Sequence, residues 1–119
     1  MVGVFLEIEE IARLATEIAS EKQAKDIVML DVRGLCSFAD YFVICTGDVK
    51  RHIEAIWQTI STTLKGNGVI PLHNEGTADS GWMLVDFGSV VVHIFAPRER
   101  DYYQLDELWN KATPVVRIQ

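Results

Sequence analysis

The sequence predicts one α/β (α+β) domain, residues 1–119, in which helices flank a mixed sheet of about five strands. Apolar residues at helical spacing alternate along the chain with short runs rich in β-branched and aromatic residues. Hydrophobic residues make up 49% of the 119 residues, which is enough to bury a core at this length. The predicted order of elements is α-β-β-α-β-β-β-α, and a sheet covered by helices satisfies it.

The first predicted element is a helix that covers roughly Phe5–Ala19. Glutamates lie in its first turns, and Lys22 and Lys25 lie past its end, which complements the helix dipole. Its apolar stripe consists of Phe5, Ile8, Ile11, Ala12, Ala15, Ile18 and Ala19.

Two strands are predicted next. Ile27–Val32 is a short apolar run, and Tyr41–Thr46 combines aromatic and β-branched residues. Gly47 ends the second strand, and Asp48 is placed to cap the helix that follows it.

The second predicted helix covers about Val49–Leu64, and Gly66-Asn67-Gly68 ends it because these residues tolerate positive φ. A third strand at Val69–Leu72 would be an edge or irregular strand, since Pro71 lacks an N–H group. A right-handed crossover through this helix would make the strands on either side of it parallel neighbours. The apolar stripe of the helix consists of Ile53, Ile56, Trp57, Ile60 and Leu64.

Turn residues at Asn74–Ser80 predict a loop. Two strong strands follow, Gly81–Phe87 and Val90–Phe95, and only Gly88-Ser89 separates them. Two-residue connections of this kind are typical of antiparallel hairpins.

A final helix is predicted from about Asp101 to Lys111, and Pro114 closes it. Helical spacing would place four large residues on one of its faces: Tyr102, Leu105, Leu108 and Trp109.

The formal net charge of −6 argues against a strong sequence-independent grip on nucleic acid, which depends on Lys and Arg. The charge suits a basic protein partner, although acidity that only favours solubility explains it equally well. No signal peptide and no apolar run long enough to span a membrane is evident, so we expect a cytoplasmic protein. Cys36 and Cys45 are expected to be buried free thiols.

No pattern in the sequence predicts a catalytic, metal or cofactor site. His52, His73 and His93 lack the spacing of a zinc site, and Cys45 lies inside an apolar strand where a thiol is usually inert. Gly47 precedes a helix without any phosphate-binding glycine motif. The prediction is a protein without cofactor and without enzymatic activity.

The predicted element order is similar to the nucleotidyltransferase-like fold, whose enzymes hold magnesium with two carboxylates on one strand. Here Asp86 stands alone between Val85 and Phe87, and Asp31 has no partner two residues on. We therefore expect the fold without its catalytic pair. The alternative function is a nucleotidyltransferase-fold protein with nucleotide-binding or vestigial activity.

The strongest surface signal is the strand that contains Trp82. Strand alternation places Trp82, Leu84 and Asp86 on one face of the sheet, and His93 of the next strand can join them. Three helices are too few to cover both faces, and exposed Trp is enriched at binding hot spots. The pattern equally allows Trp82 to pack under the Asn74–Ser80 loop or the C-terminal helix.

An ordered set of motifs across about Phe5–Ala112 resembles the RsfS/Iojap family of ribosomal silencing factors. The motifs are Lys25–Val28, Leu30–Arg33, Phe38–Gly47, Arg51-His52, Glu75-Gly76, Ser80–Gly88, Val90–Phe95, Arg100–Tyr103 and Leu105–Trp109. No single motif is decisive, but the order of the set is highly specific.

The resemblance implies a protein that binds the large ribosomal subunit through ribosomal protein fourteen of that subunit. Bound there, it would sterically block joining of the small subunit and repress translation under nutrient limitation. We also expect a homodimer at high concentration, formed through a sheet edge or the same apolar face. The implied partner-binding residues are Trp82, Leu84, Asp86 and Gly88, bordered by His93, Tyr102 and Tyr103, with Glu75 and Asp79 as further carboxylates.

Overall fold

The computed structural model describes residues 6–119 and contains one mixed, six-stranded sheet with the strand order β3-β4-β5-β2-β1-β6. β2 and β5 are parallel, and the other neighbouring strands are antiparallel. The predicted fold class is confirmed, with six strands in place of about five. The elements are α1 Ile8–Glu21, β1 Lys25–Asp31, β2 Tyr41–Thr46, α2 Lys50–Gly66, β3 His73–Thr77, β4 Trp82–Asp86, β5 Val90–Phe95, α3 Pro97–Tyr103, α4 Leu105–Leu108 and β6 Thr113–Ile118.

The helices α1 and α2 pack against one face of the sheet, here called the helix-covered face. Both apolar stripes predicted from the sequence largely form this core, although Trp57 is only half-buried and Ile8 is exposed. Phe5 lies outside the described residues. The small side chains of α1 let it approach closely. The buried stripe residues are Ala12, Ala15, Ile18 and Ala19 of α1 and Ile53, Ile56, Ile60 and Leu64 of α2.

A second, smaller core lies on the opposite face of the sheet. Phe42, Val91 and Phe95 belong to it, and Leu105 and Ala112 from the C-terminal region cover it. Because α3 and α4 are short, this covering is partial, and the β4 end of the opposite face stays accessible.

The predicted crossover is wrong in its partner strand. β3, which follows α2, is separated from β2 by β4 and β5, and β2 pairs in parallel with β5 instead. All six residues of β5 are buried, as expected for a strand in the middle of a sheet that is covered on both faces. Every residue of β3 is exposed, which suits only an edge.

The region before the hairpin also differs from its prediction. Val69–Leu72 is not a strand, and the predicted loop Asn74–Ser80 contains most of β3. β3 is hydrogen-bonded to β4 with His73 opposite Asp86, so its strand character comes from its neighbour and not from its own residues. Polar residues are tolerated there because an edge strand faces water.

The C-terminal region differs from its prediction in two places. The predicted helix Asp101–Lys111 is broken at Gln104, whose φ of 47° is left-handed, so α3 ends there and α4 begins. Tyr102 and Leu108 are consequently exposed, whereas Leu105 is buried. The chain then continues into β6, where Pro114 is accommodated because β6 is an edge strand.

The β4–β5 hairpin is confirmed. The N–H of Phe87 donates to the carbonyl of Val90 at 2.8 Å, and Gly88 adopts a φ of +98° in the connecting turn. The predicted cap of α2 is wrong, because Val49 occupies the N-cap position without a side-chain bond. Asp48 instead donates its N–H to His52 Nδ1 at 2.9 Å.

Candidate protein-docking surface

Trp82 lies at the start of β4 on the opposite face of the sheet, where it is half-buried. Its ring stacks on Phe95, the residue directly across in β5, at a centroid distance of 5.0 Å. The ring of Tyr103 at the end of α3 lies 4.6 Å from it. The two alternatives that the sequence left open therefore both hold in part: one portion of the indole packs against the sheet and α3, and another portion faces solvent.

His93 contacts Trp82 and fixes the orientation of its ring. The indole Nε1–H of Trp82 donates to His93 Nδ1 at 3.2 Å, and the imidazole meets the ring of Phe42 edge-on at 5.1 Å. His93 is only 4% exposed, and this burial lowers its pKa to about 4, so the ring is neutral at physiological pH. His93 was expected to border the surface, and the structure places its side chain beneath Trp82, where it orients the indole.

The neutral form of His93 carries its proton on Nε2, because Nδ1 accepts the Trp82 bond. Within the described residues, Nε2 has no hydrogen-bond partner. The surrounding rings of Phe42 and Phe95 offer only aromatic contacts. This ring is therefore held by packing and by a single hydrogen bond.

Asp86 is the last residue of β4, and Gly88 lies in the turn that follows. The Asp86 carboxylate accepts a hydrogen bond from the Gly88 N–H at 2.7 Å, which braces the hairpin turn. Asp86 is half-buried, so part of its carboxylate remains open to solvent. Gly88 shapes the turn through its positive φ and contributes no side chain of its own.

Four of the residues predicted to bind a partner meet at one shallow depression of about 260 Å³. The β3–β4 register places Glu75 directly opposite Leu84, so both project from the opposite face. Tyr103 is 48% exposed, and Tyr102, next to it, is 79% exposed and lies outside the lining. The depression is lined by Glu75, Gly76, Ser80, Trp82, Leu84 and Tyr103. Asp79 is apart from this group, in an ion pair with Lys50 at 3.1 Å.

Sequence reasoning missed two residues that extend or support this surface. Phe38 is 66% exposed, and its ring lies 6.2 Å from that of Phe42, which continues the aromatic contacts across the sheet. The available signal was Phe38 itself, a large aromatic residue in the loop between β1 and β2. Arg100 joins the C-terminal helices to the sheet through bonds of 2.9 Å to Thr46 Oγ1 and 3.0 Å to Asp106.

The catalytic alternatives find little support in the geometry. Burial raises the pKa of the Cys45 thiol to about 12, so this cysteine is no nucleophile, and Cys36 is a half-buried free thiol. Among residues 6–119, no group of three or more His, Cys, Asp or Glu side chains could hold a metal ion. Within the same residues, no helix is both long and apolar enough to cross a membrane.

A depression of about 410 Å³ at the carboxyl end of β2 is the place where a nucleotide would be expected in an α/β sheet. Its carboxylates outnumber its basic groups, and the Arg100 guanidinium is already bound to Asp106 and Thr46. Such a lining repels phosphate. Its charged residues are Lys25, Asp26, Asp48, Arg100, Asp101, Asp106 and Glu107.

Comparisons with known proteins agree with one another. A family model described as "Ribosomal silencing factor during starvation" matches residues 6–119. A ribosomal silencing factor RsfS of Bacillus subtilis is 39% identical over 104 residues, which are 87% of this chain and 88% of that protein. A mouse protein named "Mitochondrial assembly of ribosomal large subunit protein 1" is 31% identical over 82% of this chain and 44% of its own length.

Among solved structures, the crystal structure of a Chromobacterium violaceum protein superposes with a TM-score of 0.84. It is 38% identical, and the match covers 93% of this chain and 94% of that one. Sequence, family model and fold thus agree over nearly the whole of the described chain, and this protein belongs to the ribosomal silencing factor family.

Proposed function

We propose that this protein binds the large ribosomal subunit through ribosomal protein fourteen of that subunit and thereby prevents the small subunit from joining. Translation would fall under nutrient limitation, in the cytoplasm, without catalysis or a cofactor. The single observation that carries the proposal is the half-buried Trp82, which stands at the centre of an aromatic and acidic surface. Family membership and the large-subunit role in the name of the mouse relative support the choice of partner.

Trp82 has the properties of a binding hot spot. Phe95 and His93 already fix its ring, so little conformational entropy is lost when a partner covers the rest of it. Burying a large apolar side chain contributes roughly 1.5–3 kcal/mol. The candidate docking surface, defined as the exposed parts of Glu75, Trp82, Leu84, Asp86, Tyr102 and Tyr103, can therefore provide most of the apolar contact.

Charge favours a basic partner. The formal net charge is −6, and Glu75 and Asp86 flank the aromatic part of the candidate docking surface. Opposite charges increase the rate of encounter and fix the orientation of the two surfaces. Blocking subunit joining then requires only the volume of the bound protein.

Subunit-joining assays test this function. Purified small and large subunits are mixed with and without excess protein and separated on sucrose gradients. We expect fewer joined ribosomes with the wild-type protein, because it occupies the joining surface of the large subunit. An unchanged fraction of joined ribosomes at saturating protein would contradict the proposal.

Substitution of Trp82 tests the surface itself. Trp82→Ala should weaken large-subunit binding by at least about 1 kcal/mol, roughly fivefold, as expected for a hot spot. Trp57→Ala is the matched control, because Trp57 is also half-buried but belongs to α2 on the helix-covered face. Circular dichroism of both variants verifies folding. Wild-type affinity in a folded Trp82→Ala variant would show that Trp82 serves the core alone.

We also propose a homodimer, formed either through a sheet edge or through the same apolar face. Two copies that bury Trp82 and Leu84 against each other would hide the apolar part of the surface at high concentration. Light scattering coupled to size-exclusion chromatography should detect dimers whose fraction rises with concentration and falls in Trp82→Ala. A monomer at every concentration would refute this interaction.

A nucleotide-binding function remains testable by calorimetry with ATP and magnesium. The acidic lining at the carboxyl end of β2 predicts no heat of binding. Saturable binding would restore this alternative.

A further inference from the structure

The depression beside Trp82 has the dimensions of a site for a single side chain. Its volume of about 260 Å³ falls just below the roughly 300–1,000 Å³ that small-molecule pockets occupy. It lies between β3, β4 and the end of α3, and it opens directly onto the candidate docking surface. One long side chain of a partner that covers this surface would therefore fit here.

Aromatic rings form two of its walls. The Trp82 and Tyr103 rings are 4.6 Å apart and are tilted by 48° to each other. The hydrogen bond to His93 and the stacking on Phe95 hold Trp82 in place, so this wall is preformed. The two rings contact each other and leave no room for a group between them, so together they form one aromatic surface. Such a surface favours a flat cation, because a guanidinium stacks on a ring and its methylene stem packs on apolar carbon.

The backbone of β3 lines the depression at Gly76. Gly76 has a φ of +80°, which L side chains rarely adopt, and a Cβ there would collide with the Trp82 carbonyl oxygen. No side chain can therefore project from this position without displacing β4. At this position the wall of the depression is therefore backbone and not a movable side chain.

The electrostatics of the site are negative. The exposed Glu75 carboxylate lies at the rim, with His73 at 2.6 Å as its neighbour. Among the described residues, no lysine or arginine lines the depression. A guanidinium would supply the missing positive charge, and its fork matches a carboxylate better than an ammonium group does.

We propose that the depression formed by Trp82, Tyr103 and Glu75 binds one arginine side chain of the docking partner. The inference rests on the proposed function for the identity of that partner but not for the chemistry of the site. Leu84 contacts the methylene stem, the guanidinium stacks on the open face of the Tyr103 ring, and Glu75 accepts its N–H groups.

Titration of the ¹⁵N-labelled protein with N-acetyl-arginine amide tests the site without a ribosome. The three tryptophan indole N–H signals are the readout, and Trp57 and Trp109 act as internal controls. We expect a saturable shift of the Trp82 indole and the Gly76 amide signals. The citrulline analogue, which has the same shape without the charge, should produce no shift, and the lysine analogue should bind more weakly.

Four variants sharpen the test. Glu75→Gln should weaken arginine binding by up to about fivefold, the range of an exposed ion pair. Glu54→Gln removes the same charge from an exposed position on α2 and corrects for general electrostatics. Tyr103→Leu should remove most of the binding, whereas Tyr103→Phe should retain it because the ring remains.

The outcomes separate this inference from the proposed function. Equal shifts with arginine and citrulline, or a Trp82 signal that does not move, overturn the arginine site even if the protein binds large subunits. A specific arginine shift in a protein that does not bind large subunits supports the site and refutes the proposed function.

Discussion

Acid should destabilise this protein through His93, which is buried against Phe42, Phe95 and Trp82. Its folded-state pKa is lowered to about 4, whereas an unfolded histidine titrates near 6.5. Between these values the unfolded chain binds a proton that the folded protein excludes. The stability contributed by the neutral ring is therefore fully present above pH 6.5 and is lost as the pH falls toward 4.

The magnitude follows from the same two values. Each pKa unit corresponds to about 1.36 kcal/mol. The free energy of unfolding should therefore fall by about 2 kcal/mol between pH 7 and pH 5, and by about 3 kcal/mol below pH 4, from this residue alone. Protonation also removes the acceptor of the Trp82 N–H, because Nδ1 can no longer accept a hydrogen bond. The candidate docking surface loses its support under the same conditions.

Urea denaturation at several pH values between 7 and 5 measures this effect. His93→Phe is the matched variant, because it keeps an aromatic ring in the core but cannot titrate. It should be less stable than the wild type at pH 7, since Trp82 loses its acceptor, yet its stability should fall less steeply with acid. Parallel pH profiles for the two proteins would refute the reasoning.

Three further predictions concern residues that support or border the candidate docking surface. Arg100→Met should lower the free energy of unfolding by about 2 kcal/mol, because Asp106 loses two charge-assisted hydrogen bonds, and urea denaturation measures this loss. Gly76→Ala should cost at least about 1 kcal/mol in thermal denaturation because of its positive φ, whereas Gly66→Ala in α2 should stabilise by about 0.5–1 kcal/mol. Phe38→Ala should change stability by less than about 0.5 kcal/mol, since the ring is exposed, and yet weaken large-subunit binding in a sedimentation assay.

The best-predicted elements are those whose own residues determine their environment. β2 and β5 have the bounds predicted from the sequence, because both consist of β-branched and aromatic residues buried on both faces. The apolar stripes of α1 and α2 are likewise predicted from their own residues. In these segments local propensity, apolar period and burial agree, so the sequence alone identifies them.

The edge strands were less accessible to sequence reasoning. β3 consists of polar and exposed residues, and β6 contains Pro114, so neither has an apolar alternation. Each is a strand because a neighbour, β4 or β1, offers free backbone hydrogen bonds. Such pairing is non-local, and no window of sequence contains it. The break at Gln104 is similar: the apolar spacing continues through it, but the burial of Leu105 and the Arg100–Asp106 pair decide the local conformation.

For the surface, alternation correctly placed Trp82 and Leu84 on one face, but it could not predict how deeply each side chain is buried. His93 shares that face and is nevertheless covered, because β5 lies in the middle of the sheet while β4 lies one strand from its edge. How deeply a side chain is buried depends on the position of its strand in the sheet and on the elements that cover that face, here α3 and α4. Partial burial of Trp82 is thus a consequence of topology. It is also what a hot spot requires, since the covered portion fixes the ring and the open portion remains for a partner.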